Sequence, residues 1–122
     1  MNLIADEQIL YHSPDPKGLY CYTPWICHGF GERLFVSYDL AGPGLSKLSG
    51  PKSDHGDYGS NQCQILYSDD HGKTWTLSGK QPMLHARVFT AGKSLYILGQ
   101  SGRLVIARSD DNGLSWSRPY VL

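Results

Sequence analysis

The densest set of groups able to move protons lies in Lys52-Ser53-Asp54-His55-Gly56-Asp57-Tyr58-Gly59. Carboxyl groups and an imidazole this close together supply a general acid, a general base, or both, so Asp57, Asp54 and His55 are candidate catalytic residues. A second set is His85-Ala86-Arg87. On a strand, alternation puts His85 and Arg87 on one side and Ala86 and Val88 on the other. The arginine fork then suits a carboxylate ligand held bidentately. Asp39 and Tyr22 complete the candidates: an acid at the exit of a strand, and a ring able to stack on a sugar face. Each residue also has a plainer reading. Asp and His solvate glycine-rich turns, Arg pairs with Asp inside sheets, and Asp39 can cap the loop that follows it. Tyr22 and Trp25 fill cores as readily as they bind sugars, and for Trp25 the core is the better reading.

A different cluster of carboxylates occurs twice. Ser68-Asp69-Asp70-His71-Gly72-Lys73-Thr74-Trp75 is echoed 41 residues later by Ser109-Asp110-Asp111-Asn112-Gly113-Leu114-Ser115-Trp116. Ser, Asp-Asp, Gly, a hydroxyl residue and Trp recur at fixed offsets, which marks a repeat architecture. A unique reaction centre does not need two copies, whereas a hairpin clamp does. Ser68, Asp70, Gly72, Trp75 and their counterparts Ser109, Asp111, Gly113, Trp116 are therefore structural. Asp and Ser side chains accept from turn N–H groups, Gly takes the left-handed position, and Trp opens the return strand.

These sites need strands to place them. Residues 8–12, 20–27, 33–40 and 63–67 are short runs rich in branched and aromatic residues, and the first return strand spans 75–77. Two prolines and a glycine make 13–18 a loop. Pro24 calls for a bulge. Leu34, Val36 and Tyr38 share one face. Residues 41–61 form a long polar loop. After it the pattern restarts, with strands at 87–90, 94–98, 104–107 and from 116 onward, and no segment holds a helical period. The chain is expected to be all-β: an N-terminal strand at 8–12, one four-stranded antiparallel unit over about 20–78 and another over about 85–120. The octapeptides and the 41–61 loop are expected at opposite ends, the loop beside 20–23 and 85–87. A loop much longer than its connection requires is where function concentrates.

Composition narrows the partners. Eleven basic residues balance eleven acidic ones, so nothing favours nucleic acid or an anionic membrane. No apolar run reaches the roughly 18 residues of a membrane span. The first residues carry no secretory signal, which leaves a cytoplasmic location by default. Cys21, Cys27 and Cys63 are odd in number and unevenly spaced, which argues against a disulfide framework and a zinc site. No metal or other cofactor is expected.

The octapeptide resembles the Asp-box, Ser-x-Asp-x-Gly-x-Thr/Ser-Trp, of the sialidase-like (BNR-repeat) β-propellers. The resemblance implies propeller blades, with each box joining the third and fourth strands away from the active site. It implies a carbohydrate-active protein, by first expectation a glycoside hydrolase of exo-sialidase type acting on acidic glycans. Polysaccharide lyases on uronate glycans and non-catalytic glycan- or protein-binding modules carry the same boxes. In Cys21-Tyr22-Thr23-Pro24, Pro24 matches the Arg-Ile-Pro motif of the enzymes, and Tyr22 stands at the first arginine of their carboxylate-binding triad. Asp54 or Asp57 falls where their acid/base aspartate lies, before the first box. Two units do not make a sialidase-like ring of six. Further blades of the same gene, or ring closure by three copies, would complete it.

Overall fold

The computed structural model describes residues 7–56 and 59–122. Strands β1 (Tyr20–His28) and β2 (Leu34–Ala41) form a hairpin, followed by a 3-10 turn at Pro43–Lys47. Then come β3 (Ser53–Gly56), β4 (Gly59–Ser68) and β5 (Thr76–Gln81). A second sheet contains β6 (Leu84–Ala91), β7 (Ser94–Gln100), β8 (Leu104–Ser109) and β9 (Tyr120–Val121), paired in chain order. In the first sheet β2 pairs one edge of β4, while β5 and β3 share its other edge in tandem. All pairings are antiparallel.

The register sets the ends of the molecule. Tyr20 faces Ala41 and His28 faces Leu34, while Leu34 faces Ser68. The 29–33 turn and the first octapeptide therefore share one end. The start of β1 and the insertion between β2 and β4 share the other. The second sheet repeats this, with Leu95 opposite Ser109 and Leu84 opposite Gln100.

The sheets pack face to face over Phe35, Cys63, Ile65, Val88, Leu95, Ile97, Val105 and Ala107, all buried. Burying a side chain the size of Phe35 stabilises by about 1.5–3 kcal/mol. The opposite face of the first sheet, with Val36, Tyr38 and Leu40, is buried as well. Both faces of β2 are thus covered, which explains its nearly unbroken apolar run.

Three expectations are corrected. Residues 8–12 form no strand; instead Leu10 and Tyr11 pack as an irregular arm on the Val36–Tyr38–Leu40 face, where cover rather than ladder pairing is required. Ser13 Oγ, donating to Leu19 O at 2.7 Å, ties the arm down. The described part of the 41–61 segment, residues 41–56 and 59–61, contains a 3-10 turn and paired strand rather than only polar loop. Buried Leu45 anchors the 3-10 turn, and Ser53 pairs with Asn61. Gly42 permits the entry to this insertion, because its φ of 106° belongs to the left-handed half of the map. Finally, the return strands differ in extent: the first extends to Gln81 rather than Leu77, and the second pairs only over Tyr120–Val121 rather than from Trp116 onward.

Candidate functional site at the inner strands

Both inner strands, β1 and β6, enter with a bulge. The register slips between Tyr22 and Trp25 in β1 and between Leu84 and Arg87 in β6. Thr23 (φ 50°) and His85 (φ 52°) take left-handed backbone there, uncommon for residues with a Cβ. One carboxylate holds both: Asp39 Oδ2 accepts the Thr23 hydroxyl and the His85 N–H at 2.6 Å. Ser37 Oγ donates to Ala86 O at 3.4 Å, and Asn61 Nδ2 donates to Met83 O at 2.9 Å. Three polar side chains of the first sheet thus fix the backbone that leads into β6.

Asp39 is only 1% exposed. It therefore does not point into the mouth, and it braces the bulges rather than capping the 41–61 segment. Burial pushes its carboxyl above the usual carboxylate range, against the Thr23 and His85 donors, which pull it down. Beside it the buried Cys63 thiol is pushed well up, first by burial and then by the Asp39 charge.

Past the bulges the strands place Trp25 and Arg87 side by side. The guanidinium carbon lies 5.1 Å from the indole centroid, within cation–π range. Trp25 Nε1 donates to Val88 O at 2.9 Å, which fixes the ring across the two sheets. Trp25 is 40% exposed, so its assignment to the core is corrected: the bulge at Pro24 turns the indole outward. Tyr22 meets His85 edge-on at 6.3 Å between centroids. Alternation beyond the bulge holds, with Ala86 and Val88 buried and Arg87 partly exposed. Among the described residues Arg87 forms no ion pair, and donates to Ala86 O at 3.1 Å.

Tyr22, Asp39 and His85 are brought together, with Arg87 next along the strand. Asp54 and His55 form a separate, exposed group on β3. There Ser53 Oγ accepts the His55 N–H at 3.1 Å and lies 2.7 Å from Ser101 Oγ. The His55 ring rests on Gly102, its Cδ2 2.9 Å from where a Cβ would stand. Asp57 lies outside the described residues. Sequence reasoning missed Ser37 and Asn61 and undervalued Trp25. The signal for Ser37 was a polar residue between Phe35 and Asp39 on the alternation of an apolar strand.

The octapeptides are hairpin clamps at the far end. Asp70 Oδ1 accepts from Ser68 Oγ and Thr74 N, each at 2.8 Å, and Oδ2 accepts from Thr74 Oγ1 at 2.5 Å. Asp111 repeats this with Ser109 and Ser115 at 2.8, 2.8 and 2.5 Å. The threonine donors hold Asp70 well below the carboxylate range, and the Ser115 donors hold Asp111 at about 2. The two clamps close differently. Trp75 Nε1 donates to its own Gly72 O at 3.0 Å. Trp116 Nε1 donates at 2.9 Å to Ser78 Oγ of the first sheet, which passes the bond on to Gly113 O at 2.5 Å. Gly113 has φ 84° and leaves no room for a Cβ, which would stand 2.4 Å from Phe35.

With this geometry the chain can be set beside known proteins. No protein-family model matches it, and no curated protein sequence matches it. Solved structures do. Trypanosoma rangeli sialidase superposes with a TM-score of 0.51 at 22% identity, over 70% of this chain and 12% of the sialidase. Its complex with sialic acid gives 0.52 over the same shares. The catalytic domain of Coprinopsis cinerea GH62 α-L-arabinofuranosidase gives 0.54 at 14% identity, over 86% of this chain and 32% of that one. The chain has the fold of sialidase-like β-propeller blades. It spans a small part of the proteins it resembles, and blade one (β1, β2, β4, β5) and blade two (β6–β9) are adjacent units. In both, the inner strand carries the bulge, and the octapeptide lies at the opposite end from it.

Proposed function

We propose that the mouth formed by the inner strands is part of an acidic-glycan site in a carbohydrate-active propeller of glycoside hydrolase type. The observation that carries this is the Trp25–Arg87 pair: a half-exposed indole beside a guanidinium that has no carboxylate partner among the described residues. Together they offer a stacking surface and a bidentate fork for a sugar carboxylate. Tyr22 and His85 border the pair. In hydrolysis Asp54 or Asp57 protonates the glycosidic oxygen, and the opposing carboxylate or tyrosine comes from further blades. Asp39 serves as a brace, with Oδ2 committed to the Thr23 hydroxyl and the His85 N–H, while Oδ1 is buried with no hydrogen-bond partner among the described residues. That commitment also favours a second reading, a site on this chain that grips a glycan without cleaving it.

The remaining blades have a seat. Register aligns Phe35, Ser37 and Ile65, which face blade two, with Tyr96, Leu98 and Ile106 of blade two. That face is partly open, and Phe89, Leu104 and Tyr120 on it are exposed. An open apolar face of this kind marks an interaction surface, here for a further blade. The test of the site is a titration of the full chain with 3′-sialyllactose and with trigalacturonate, watching the Trp25 indole N–H by NMR. A saturable shift that weakens at least 10-fold in Arg87→Ala supports the reading. No shift with either sugar, or an unchanged one in Arg87→Ala, overturns it.

A further inference from the structure

One groove of the molecule lies well away from the mouth. It lies at the outer rim, where β5 and the 116–119 segment diverge, with a volume of about 690 Å³. Trp116 and Gly79 form its floor, the Trp116 ring packing so close that a Cβ on Gly79 would stand 2.8 Å from Cδ1. Gln81 Nε2, donating to Ser117 O at 3.1 Å, stitches the two walls together. Pro51, Pro82 and Pro119 form rigid borders. Among the described residues, Lys80 and Arg118 are the charged ones lining the groove, and no carboxylate lines it. In a chain of zero net charge this is a local excess of positive charge. The Lys80 ammonium donates to Ser49 O and Oγ at 3.1 and 3.2 Å, which leaves one of its three N–H donors for a ligand. Both walls belong to this chain, so the groove is complete without any other blade.

We propose that this rim groove is an accessory binding site for an acidic saccharide. The carboxylate sits between Lys80 and Arg118, and a sugar ring lies along Trp116 and the prolines. The volume falls within the roughly 300–1,000 Å³ of small-molecule sites and holds one to three sugar units. The charge preference follows from the lining alone; the choice of a saccharide rests on the carbohydrate reading above. The site secures the chain on an acidic polymer while the mouth, on the inner strands, works independently.

The test uses the full chain and the Trp116 indole N–H, distinct from that of Trp25. Trigalacturonate should shift the Trp116 signal saturably, and maltotriose of equal length should not. Lys80→Ala/Arg118→Ala should weaken the effect at least 10-fold with an unchanged melting temperature, and Arg87→Ala should leave it intact. No saturable shift, equal binding of maltotriose, tighter binding of a hexaglutamate peptide, or retained affinity in the double variant each overturns the proposal. Failure of the mouth appears separately, as a silent Trp25 signal beside a responsive Trp116.

Discussion

Replacing Asp39 by alanine removes the acceptor of the His85 N–H and of the Thr23 hydroxyl, in a site closed to water. Unpaired buried donors of this kind cost about 1–3 kcal/mol each. Asp39→Ala should therefore lower unfolding free energy by about 2–3 kcal/mol in urea titrations and broaden the Trp25 and Arg87 NMR signals. Asp39→Asn keeps an acceptor and should be milder. Its pH dependence is diagnostic. Burial raises the folded pKa of Asp39, so the folded state holds the proton more tightly than the unfolded chain. Stability is then lost as pH rises from about 4 through the raised value, a loss that Asp39→Asn should abolish. The octapeptide carboxylates act with the opposite sign. Asp70 and Asp111 are depressed, so their contribution is present above about pH 4 and disappears as pH falls through the folded values. Thermal melts between pH 5 and 2 should show a shallower loss for Asp70→Asn/Asp111→Asn than for the wild type. An equal slope would exclude the clamps as the source of acid lability. The role of Asp70 and Asp111 was legible in the sequence because it repeats. That of Asp39 was not, because its partners are a backbone N–H 46 residues away and a hydroxyl across a bulge.

Between the two blades the far-end contacts are carried by the hairpins. Asn112 exchanges two hydrogen bonds with the Phe30 backbone, at 3.1 and 3.0 Å. Arg33 donates to Asn112 O at 2.9 Å while gripping Asp69 of the first octapeptide through two contacts of 2.8 Å. The equivalent residue in the first copy, His71, is exposed. Asn112→Ala should thus cost about 1–3 kcal/mol and speed hydrogen exchange at the Phe30 amide. His71→Ala should stay within about 0.5 kcal/mol of wild type. Most of the strands of the two sheets, the bulge at Pro24 and the separation of octapeptides from mouth could be read from local pattern and punctuation. The order within 41–61 could not. Its glycines and polar residues read as loop, yet Leu45 is buried and Ser53 finds a ladder partner through tertiary packing.

For the chain as a whole, the two outer faces differ. Blade one is covered by its arm, through Leu10, Tyr11 and Leu19, and blade two is open. Ring closure by three copies requires the open face of one copy to meet the covered face of the next, so the arm opposes it. Removing residues 1–12 should uncover the Val36–Tyr38–Leu40 face. Sedimentation velocity should then show concentration-dependent association beyond that of the full chain, and an unchanged distribution would mean the arm is not a barrier. Residues 8–12 illustrate why the sequence misled here: an apolar run looks the same whether it pairs as a strand or lies across one. The Ser78 hydroxyl between Trp116 and Gly113 adds a direction in time. The first hairpin closes with its own atoms, whereas the second borrows from a strand synthesised before it. The second clamp therefore cannot close until β5 is in place, so its closure reports the docking of the two sheets.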